Sequence, residues 1–352
     1  MPGRVLSIQS HVASGYGGVT AATFPLQVLG YDVDTVNTVQ YTNHAGYGRF
    51  GGSKTKPEDL EQIFDMMKKN RLLVSTTRVL TGYIPDASSL RAVAKVIIDL
   101  RRGRNNDITY LLDPVMGDDD QMYVAEDVLP VYLGTLLPLA DIITPNWFET
   151  ELLTGLKISG VRSIQEALHK LHTVNGVPNI VISSIKVTSE SLPTGADDYL
   201  LCLTSTLLST NHDAATSASP ATRGRKYSQA LSIVHAICFP KIQGYFSGAG
   251  DLFSALVLGH FAPGSSRTAL ADATSLALST TQAIIASTHK YCSALSEEEC
   301  PLTDEELDAQ DRERRVNRMR ARELRIVSEM REICVPSQQL KLAEWETFWE
   351  CF

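Results

Sequence analysis

The sequence predicts an α/β fold, a three-layer α/β/α sandwich in which helices cover both faces of a central, mostly parallel sheet. Short β-branched segments alternate with helical patterns along most of the 352 residues, as parallel sheets require. With 43% hydrophobic residues, the chain can bury a large core. Asp113, Thr144, Ser183 and Gly248 each follow a strand-like run, and ligands bind at that edge of such sheets.

The chain opens with a predicted βα unit, a strand over 4–9 and a helix over 19–29 joined by a glycine-rich loop. Gly15 and Gly17 in this loop resemble part of a dinucleotide-binding fingerprint. The third glycine of that fingerprint falls on Thr20, so the pattern is incomplete and we do not predict a dinucleotide site.

Alternating strands and helices follow this first unit. Strands are predicted over 31–39, 78–83, 109–112, 142–143, 180–184 and 199–207, and helices over 60–69, 88–100, 128–136, 164–171 and 268–289, with one more opened by 144–146. The loop over 40–52 ends in two glycines, but Ser53 separates them from Lys54. The pattern of a phosphate-binding P-loop therefore fails there.

Three segments differ in composition from the rest of a chain that we expect to form a single domain over 1–352. The Ser-, Thr- and Ala-rich stretch 209–226 predicts a flexible surface insertion. Residues 297–332 are densely charged and predict a solvated helix or charged hairpin, with a partner-binding element as the alternative. Within them, 298–320 predicts a second flexible insertion. The aromatic tail 343–352 either docks on the body or stays exposed.

Charge and cysteine content exclude several classes of function. The formal net charge of −8 argues against broad binding to nucleic acid or to anionic membranes. The six cysteines are scattered without a Cys-x-x-Cys pair, so we expect free thiols and no zinc site. No run approaches the ~18 apolar residues of a membrane span. We therefore expect a soluble, cytoplasmic protein.

The strongest chemical signal is Ser247-Gly248-Ala249-Gly250-Asp251, followed by an apolar helical run. Glycines let the backbone turn tightly, and the first turn of a helix offers unpaired N–H groups to an anion such as phosphate. A carboxylate beside this anion cradle (residues 248–251) can accept a proton from a hydroxyl that attacks the phosphate. The alternative is that Asp251 only caps the helix.

Phosphoryl transfer also needs a divalent cation, and Asp118 and Glu149 are candidate oxygen ligands for Mg²⁺. The alternatives are a turn residue at Asp118 and, at Glu149, a first-turn carboxylate that interacts with the helix dipole. Asp113 precedes Pro114 at a strand end, where it can hold a cation or fix a turn.

A set of motifs, in this order along the chain, carries a family resemblance: SIQSHV at 7–12, AATFPLQ at 21–27, NHAGY at 43–47, TGY at 81–83, DPVMGD at 113–118, ITPN at 143–146 and GAGD at 248–251. The sequence resembles the pyridoxal kinase family of the ribokinase-like superfamily. The resemblance covers roughly residues 3–297 and resumes near 323–327. Gly-x-Gly-Asp alone marks only the superfamily, whereas the whole set is specific.

The resemblance implies ATP-dependent phosphorylation of the 5′-hydroxymethyl group of pyridoxal, pyridoxine and pyridoxamine, with Asp251 as the general base. The other implied roles are an anion hole formed by the amides of Gly248, Ala249 and Gly250, an Mg²⁺ site at Asp118 and Glu149, and a monovalent-cation site (K⁺ or Na⁺) at Asp113, Thr144 and Ser183.

The resemblance also implies two sets of binding residues and a homodimer. The substrate-binding set, which would hold and wall the pyridine ring, is Ser10, Tyr41, Ala45, Tyr83, Tyr123 and Asp251. The ATP-binding set is Asn146, Ser183, Ser184, Ile242, Gly244 and Ala249. Of these, Tyr123 would lie on a segment that closes over the site.

The chain departs from the family pattern within the site. Ala45 stands where a threonine commonly contacts the pyridine, which removes about 1 kcal/mol of hydrogen bonding. Gly17 stands where an apolar side chain often covers the ring, Ala249 replaces a threonine, and the loop over 117–123 is shorter. This altered pocket motivates an alternative function, a related kinase for another hydroxymethyl heterocycle such as hydroxymethylpyrimidine. A non-catalytic binding or regulatory protein is a further alternative.

Overall fold

One large sheet organises the chain, for which a computed structural model describes residues 3–103, 107–118, 121–186, 199–208 and 231–350. The strands of this sheet are β1 (Arg4–Val12), β2 (Asp32–Tyr41), β3 (Gly52–Lys54), β4 (Thr76–Thr81), β5 (Thr109–Leu112), β8 (Ile142–Ile143), β9 (Asn179–Lys186), β10 (Tyr199–Leu207), β11 (Ser232–Pro240) and β12 (Ala343–Glu344). The short strands β6 (Gly117–Asp118) and β7 (Gln121–Met122) form a separate hairpin.

The sheet is parallel at its centre and antiparallel at its edges. Among the described residues its ten strands run in the order β12-β11-β10-β9-β8-β5-β4-β1-β2-β3. The pairs from β2 across to β9 are parallel, whereas β3, β10, β11 and β12 pair antiparallel with their neighbours. The carboxyl ends of the parallel strands therefore meet at one edge, where Asp113 follows β5 and Thr144 follows β8.

Helices flank the sheet. They are α1 (Val19–Val28), α2 (Pro57–Lys69), α3 (Ala87–Gly103), α4 (Val128–Val131), α5 (Trp147–Thr154), α6 (Val161–Thr173), α7 (Ala249–His260), α8 (Ala269–Ser293), α9 (Glu305–Gln310), α10 (Arg312–Ala321) and α11 (Met330–Cys334). A 3₁₀ turn spans Ala45–Tyr47, and a π-turn over Tyr132–Leu136 and a 3₁₀ turn over Leu137–Leu139 follow α4.

Alternate residues of the central strands face opposite cores, as the two-residue period of a strand requires. Val5 of β1 and Leu80 of β4 belong to one apolar cluster, together with α1, α7 and α8. Leu6 and Val79, their chain neighbours, belong to the other, together with α2, α3 and α6. The two cores on either side of the sheet confirm the predicted α/β/α sandwich.

Apart from small differences in bounds, two predictions are wrong in type or place, and the strand β11 was not predicted. The single helix expected over 128–136 ends at Val131 and gives way to the π-turn, because Gly134 weakens helical backbone and Pro138 has no amide to donate. Ser183 lies within β9 rather than after it, because pairing with β10 continues to Lys186. The register of that pairing shifts at Ser183 and Ser184, so the two serines form a β-bulge.

The compositionally distinct segments have different outcomes. The predicted insertion 209–226 and residues 351–352 of the tail lie outside the described residues. Residues 298–320 contain α9 and most of α10, and their flexibility and the single domain stay predictions. The described tail is docked: Phe348 is buried, Gln165 donates to its carbonyl, and the indole N–H of Trp349 donates to the Ser232 carbonyl at 3.0 Å.

Two further expectations concern the described ranges alone. None of their helices combines the length and the apolar character needed to cross a bilayer. The cysteines within these ranges are free thiols.

Candidate active site

The anion cradle forms where the loop after β11 enters α7. Gly248 adopts φ 80° and ψ −3°, the left-handed conformation that favours glycine. A Cβ at this position would lie 2.5 Å from the carbonyl oxygen of Tyr16, which leaves no room for a side chain. Ala249, Gly250 and Asp251 form the first turn of α7, whose backbone N–H groups lack partners within the helix. The local geometry therefore suits an anion.

Asp251 lies in the first turn of α7, where a carboxylate also interacts favourably with the helix dipole. Its Oδ2 accepts a 2.8 Å hydrogen bond from the backbone N–H of Gly18, 233 residues earlier in the chain. Burial raises the pKa of Asp251 to about 6, although the Gly18 amide favours the ionised form. A carboxylate with this pKa is ionised at neutral pH and still accepts a proton readily.

A second carboxylate, Asp113, is buried at the end of β5. Its Oδ2 accepts a 2.8 Å hydrogen bond from the hydroxyl of Ser254, which also lies 3.0 Å from the hydroxyl of Thr144. Burial and the nearby charges of Glu149 and Asp251 hold the pKa of Asp113 well above its usual range. The site thus concentrates several carboxyl groups where water is scarce.

Glu149 forms a capping box with Asn146 at the start of α5. The Asn146 side-chain oxygen accepts from the Glu149 backbone N–H at 2.8 Å, and Oε2 of Glu149 accepts from the Asn146 backbone N–H at 2.9 Å. Its Oε1 accepts from the Met116 amide at 3.0 Å. Burial nevertheless raises the pKa of Glu149 to about 8, and the charge of Asp118 adds to this effect. The backbone N–H of Gly117 also donates to this carboxylate, so the helix-terminus interpretation holds for Glu149.

One cavity of about 630 Å³ opens beside Asp251. Every residue of the predicted substrate-binding set lines it: Ser10, Tyr41, Ala45, Tyr83, Tyr123 and Asp251. Burial raises the pKa of Tyr83 to about 12, so that phenol stays protonated. The rings of Tyr41 and Phe50 lie 4.9 Å apart on one wall. Aromatic walls with a few fixed polar groups suit a flat heteroaromatic ligand.

The predicted ATP-binding set lies elsewhere along the same edge of the sheet, and none of it lines this cavity. Ser183 and Ser184 occupy the bulge of β9, where the Ser183 amide donates to the Pro145 carbonyl at 3.2 Å. Ile242 and Gly244 lie in the loop between β11 and α7. The Asn146 side chain is already used by the capping box and by the Gly117 carbonyl, to which it donates at 2.9 Å.

The structure brings only some of the predicted metal ligands close to one another. Asp113, Thr144 and Ser254 are joined by hydrogen bonds, and Asp118 lies near enough to Glu149 to raise its pKa. Within the described ranges, no group of three or more His, Cys, Asp or Glu side chains is arranged to hold a metal ion. Sequence reasoning missed Ser254, although a hydroxyl three residues after Asp251 in an apolar helix was a usable signal.

The C-terminal helices supply a wall of the cavity that the sequence did not predict. The residues from this region that line it are Thr303, Glu305, Asp308, Arg315, Arg318, Met319 and Arg322. Arg315 Nε donates to the Gly46 carbonyl at 2.7 Å, and Arg49 pairs with Glu313 at 2.7 Å. The segment predicted as an insertion is therefore part of the site.

Known proteins resemble both the sequence and the fold. A family profile described as phosphomethylpyrimidine kinase matches residues 26–232. The sheep protein named pyridoxal kinase is 42% identical over 260 residues, which cover 72% of this chain and 76% of that protein. An Arabidopsis thaliana pyridoxal kinase is 40% identical and aligns over 73% of this chain and 74% of its own.

The chain belongs to the pyridoxal kinase family.

A solved pyridoxal kinase structure from Leishmania donovani, in complex with ADP and pyridoxamine, has a TM-score of 0.76 at 29% identity. It covers 97% of this chain and 99% of its own. The pyridoxal kinase from Trypanosoma brucei superposes with a TM-score of 0.71 at 27% identity. The Trypanosoma brucei alignment likewise covers 97% of this chain and 99% of that chain.

Proposed function

We propose that this protein transfers the terminal phosphate of ATP to the 5′-hydroxymethyl group of pyridoxal, pyridoxine and pyridoxamine. One observation carries the proposal: every residue of the predicted substrate-binding set lines a single cavity, with Asp251 in its wall beside the anion cradle. The curated relatives named pyridoxal kinase, and the related structure that contains ADP and pyridoxamine, support the same reaction.

In this reaction Asp251 accepts the proton of the substrate hydroxyl as its oxygen attacks the phosphate. Its pKa of about 6 keeps the carboxylate ionised at neutral pH, and the Gly18 amide fixes one of its oxygens. The backbone amides of Gly248, Ala249 and Gly250 stabilise the charge that develops on the transferred phosphate. Shielding the bound phosphate from water would limit wasteful hydrolysis of ATP.

The donor set fits the two expected cations. Asp113 and Glu149 are buried carboxyls with raised pKa values, and a nearby cation would offset the unfavourable burial of their charge. Asp118 and Glu149 would hold Mg²⁺, which would neutralise charge on the ATP phosphates. Asp113, Thr144 and Ser183 would hold a monovalent cation, with Ser254 orienting the Asp113 carboxylate.

The alternative function is the phosphorylation of hydroxymethylpyrimidine. The description of the matching family profile and the altered pocket at Ala45 and Gly17 motivate it. The relatives of about 40% identity are pyridoxal kinases, so this alternative is not favoured.

The deciding experiment incubates the purified protein with ATP, Mg²⁺ and each candidate acceptor. We expect pyridoxal 5′-phosphate from pyridoxal, loss of product when EDTA removes Mg²⁺, and no product from hydroxymethylpyrimidine or a sugar. Product from hydroxymethylpyrimidine alone would refute the proposal in favour of the alternative. No product from any acceptor, with ATP still bound, would favour a non-catalytic protein.

Two further features rest on the family alone. We propose a homodimer, which light scattering at working concentration tests, and a monomer would refute it. The cytoplasmic location expected from the sequence is tested by fractionation of cells that express the protein.

A further inference from the structure

Glu323 lies just after α10, between the C-terminal helices and two loops from the first part of the chain. Its Oε2 accepts a 2.9 Å hydrogen bond from the backbone N–H of Tyr16. Its Oε1 accepts a 2.9 Å hydrogen bond from the hydroxyl of Tyr47 and lies 3.3 Å from Nε2 of His44. Only 17% of the Glu323 side chain is exposed, so these partners replace much of the water around its charge.

The contact with Tyr16 leads to the predicted base. Tyr16 belongs to the glycine-rich turn (residues 15–18) that joins β1 to α1, and its carbonyl packs against Gly248 of the anion cradle. Two residues further on, the Gly18 amide donates to Asp251. Glu323 therefore holds the turn that orients Asp251, across 307 residues of sequence.

The contacts with Tyr47 and His44 lead to the substrate cavity. His44, Ala45 and Gly46 line the cavity, and Tyr47 ends the 3₁₀ turn that contains Ala45 and Gly46. The His44 and Tyr47 rings lie 4.8 Å apart, so one carboxylate holds them as a pair. Glu323 itself does not line the cavity, and it acts on the substrate only through these residues.

We propose that Glu323 is a positioning residue that joins two parts of the active site, the turn behind Asp251 and the substrate wall formed by residues 44–47. This inference rests on the proposed function, because its readouts are the kinetics of pyridoxal phosphorylation. Two contacts to different loops predict two separable effects. Loss of the Tyr16 contact lowers kcat, and loss of the Tyr47 and His44 contacts raises KM for pyridoxal.

The first test replaces Glu323 by alanine and by glutamine. Glu323→Ala removes every contact of the carboxylate, and we expect kcat to fall about tenfold, KM for pyridoxal to rise about fivefold, and KM for ATP to stay unchanged. Glu323→Gln keeps an oxygen for the Tyr16 amide and a polar group for Tyr47. We expect it to recover kcat to within about threefold of the parent enzyme.

A matched control separates positioning from general stability. Glu329 lies in the same C-terminal stretch and accepts a 2.6 Å hydrogen bond from the hydroxyl of Ser287 in α8, away from both loops. Glu329→Ala should leave kcat and both KM values unchanged. Equal kinetic losses in Glu323→Ala and Glu329→Ala would overturn the proposal, and so would parent-like kcat and KM in Glu323→Ala.

A third variant isolates one of the two contacts. Tyr47→Phe removes only the hydroxyl that donates to Glu323, so KM for pyridoxal should rise about threefold while kcat stays unchanged. Combined with Glu323→Ala, this change should add nothing to KM, because the two residues share one interaction. A lower kcat in Tyr47→Phe would contradict the proposed role of Glu323. So would a double variant whose rise in KM for pyridoxal equals the combined rises of the two single variants.

Binding measurements keep this inference distinct from the proposed function. Titration of pyridoxal in the absence of ATP, read by quenching of protein fluorescence, reports the substrate wall without turnover. Inactivity of the parent protein towards pyridoxal would refute the proposed function. Equal pyridoxal affinity of parent protein and Glu323→Ala would refute the role of Glu323 in the substrate wall.

Discussion

The anion cradle and the substrate cavity adjoin each other, but they are built differently. The cradle is backbone: Gly248 in a left-handed conformation, followed by the first turn of α7. The cavity is walled by side chains from β1, from the loop after β2 and from the C-terminal helices. Backbone geometry accepts Ala249 in place of a threonine, because the amide stays where it is, whereas every side-chain change in the cavity alters the surface that meets the substrate.

The contrast between a cradle built of backbone and a cavity built of side chains indicates which positions tolerate substitution. Gly17 and Ala45, two of the departures from the family pattern, both line the cavity. A Cβ at Gly17 would make only ordinary contacts with Val12, at 3.7 and 3.8 Å, so the backbone there accepts a side chain. In the cradle, by contrast, the backbone at Gly248 has no room for a side chain. We therefore expect changes in the cradle to abolish chemistry and changes in the cavity to adjust affinity.

The largest effect is expected at the base. Asp251→Ala removes the carboxylate that accepts the hydroxyl proton, so kcat should fall about 10³-fold while ATP binding is retained. Steady-state turnover and equilibrium ATP titration measure the two properties. Near-normal kcat in this variant would remove Asp251 from the proposed mechanism.

The next effect tests the backbone of the cradle. Gly248→Ala places a Cβ against the Tyr16 carbonyl, which must move the cradle or the glycine-rich turn, so kcat should fall about 10- to 100-fold. Gly264→Ala is the matched control, since Gly264 also has a positive φ of 74° but no atom near the added Cβ. The control should share the loss of about 1–2 kcal/mol in stability and keep parent-like kcat. Similar kcat values for the two variants would argue against the cradle.

The pH dependence follows from the raised pKa of Asp251. Since the base must be ionised, kcat/KM should decline about tenfold per pH unit below pH 6, and pH–rate profiles measure this acid limb. An acid limb centred near pH 4 would contradict the raised pKa of Asp251 or its role as the base.

The raised pKa of Asp251 also predicts how the stability of the protein depends on pH. Its folded-state pKa of about 6 exceeds the usual 3.8, so the stability that it contributes is fully present below the lower value and is lost as pH rises through the higher one. Asp251→Asn should therefore stabilise the protein at pH 8 by on the order of 2 kcal/mol and less at pH 5. Chemical denaturation at both pH values checks the sign, and a destabilised Asn variant at pH 8 would contradict it.

The smallest effect belongs to the cavity. Ala45→Thr restores the hydroxyl that the family commonly has, and KM for pyridoxal should fall several-fold, equivalent to about 1 kcal/mol, with kcat unchanged. Ala45→Val has nearly the same shape without the hydroxyl and should not lower KM. Equal KM values for the two variants would mean that size rather than hydrogen bonding matters at this position.

Local signals were sufficient for the fold class and for the start of α7 at Gly248. Alternating strand and helix patterns predicted the sandwich, which the structure and the related proteins confirm. Asn146 and Glu149 form the helix start that their spacing indicates. The glycines at 248 and 250 marked the entrance to α7. At both helix starts the interacting atoms lie within a few residues of one another, so sequence spacing reports their local geometry.

Contacts between distant parts of the chain were not predictable in this way. Arg315 reaches the Gly46 carbonyl across 269 residues, and charge alone made its segment resemble a solvated insertion. The bulge that turns Ser183 and Ser184 depends on pairing with β10, not on the serines themselves. The roles of the binding residues remain predictions, because they depend on ligands as well as on geometry.

The hydrogen bond between Glu323 and Tyr16 also has a consequence for the order in which the protein matures during synthesis. The cradle is encoded once α7 ends at His260, but the residue that braces it follows about 60 positions later. At the usual pace of translation, that interval lasts roughly 3–12 s. A nascent chain would therefore carry nearly all of the described sheet before Glu323 is added, so we expect competence to bind pyridoxal to follow the synthesis of Glu323.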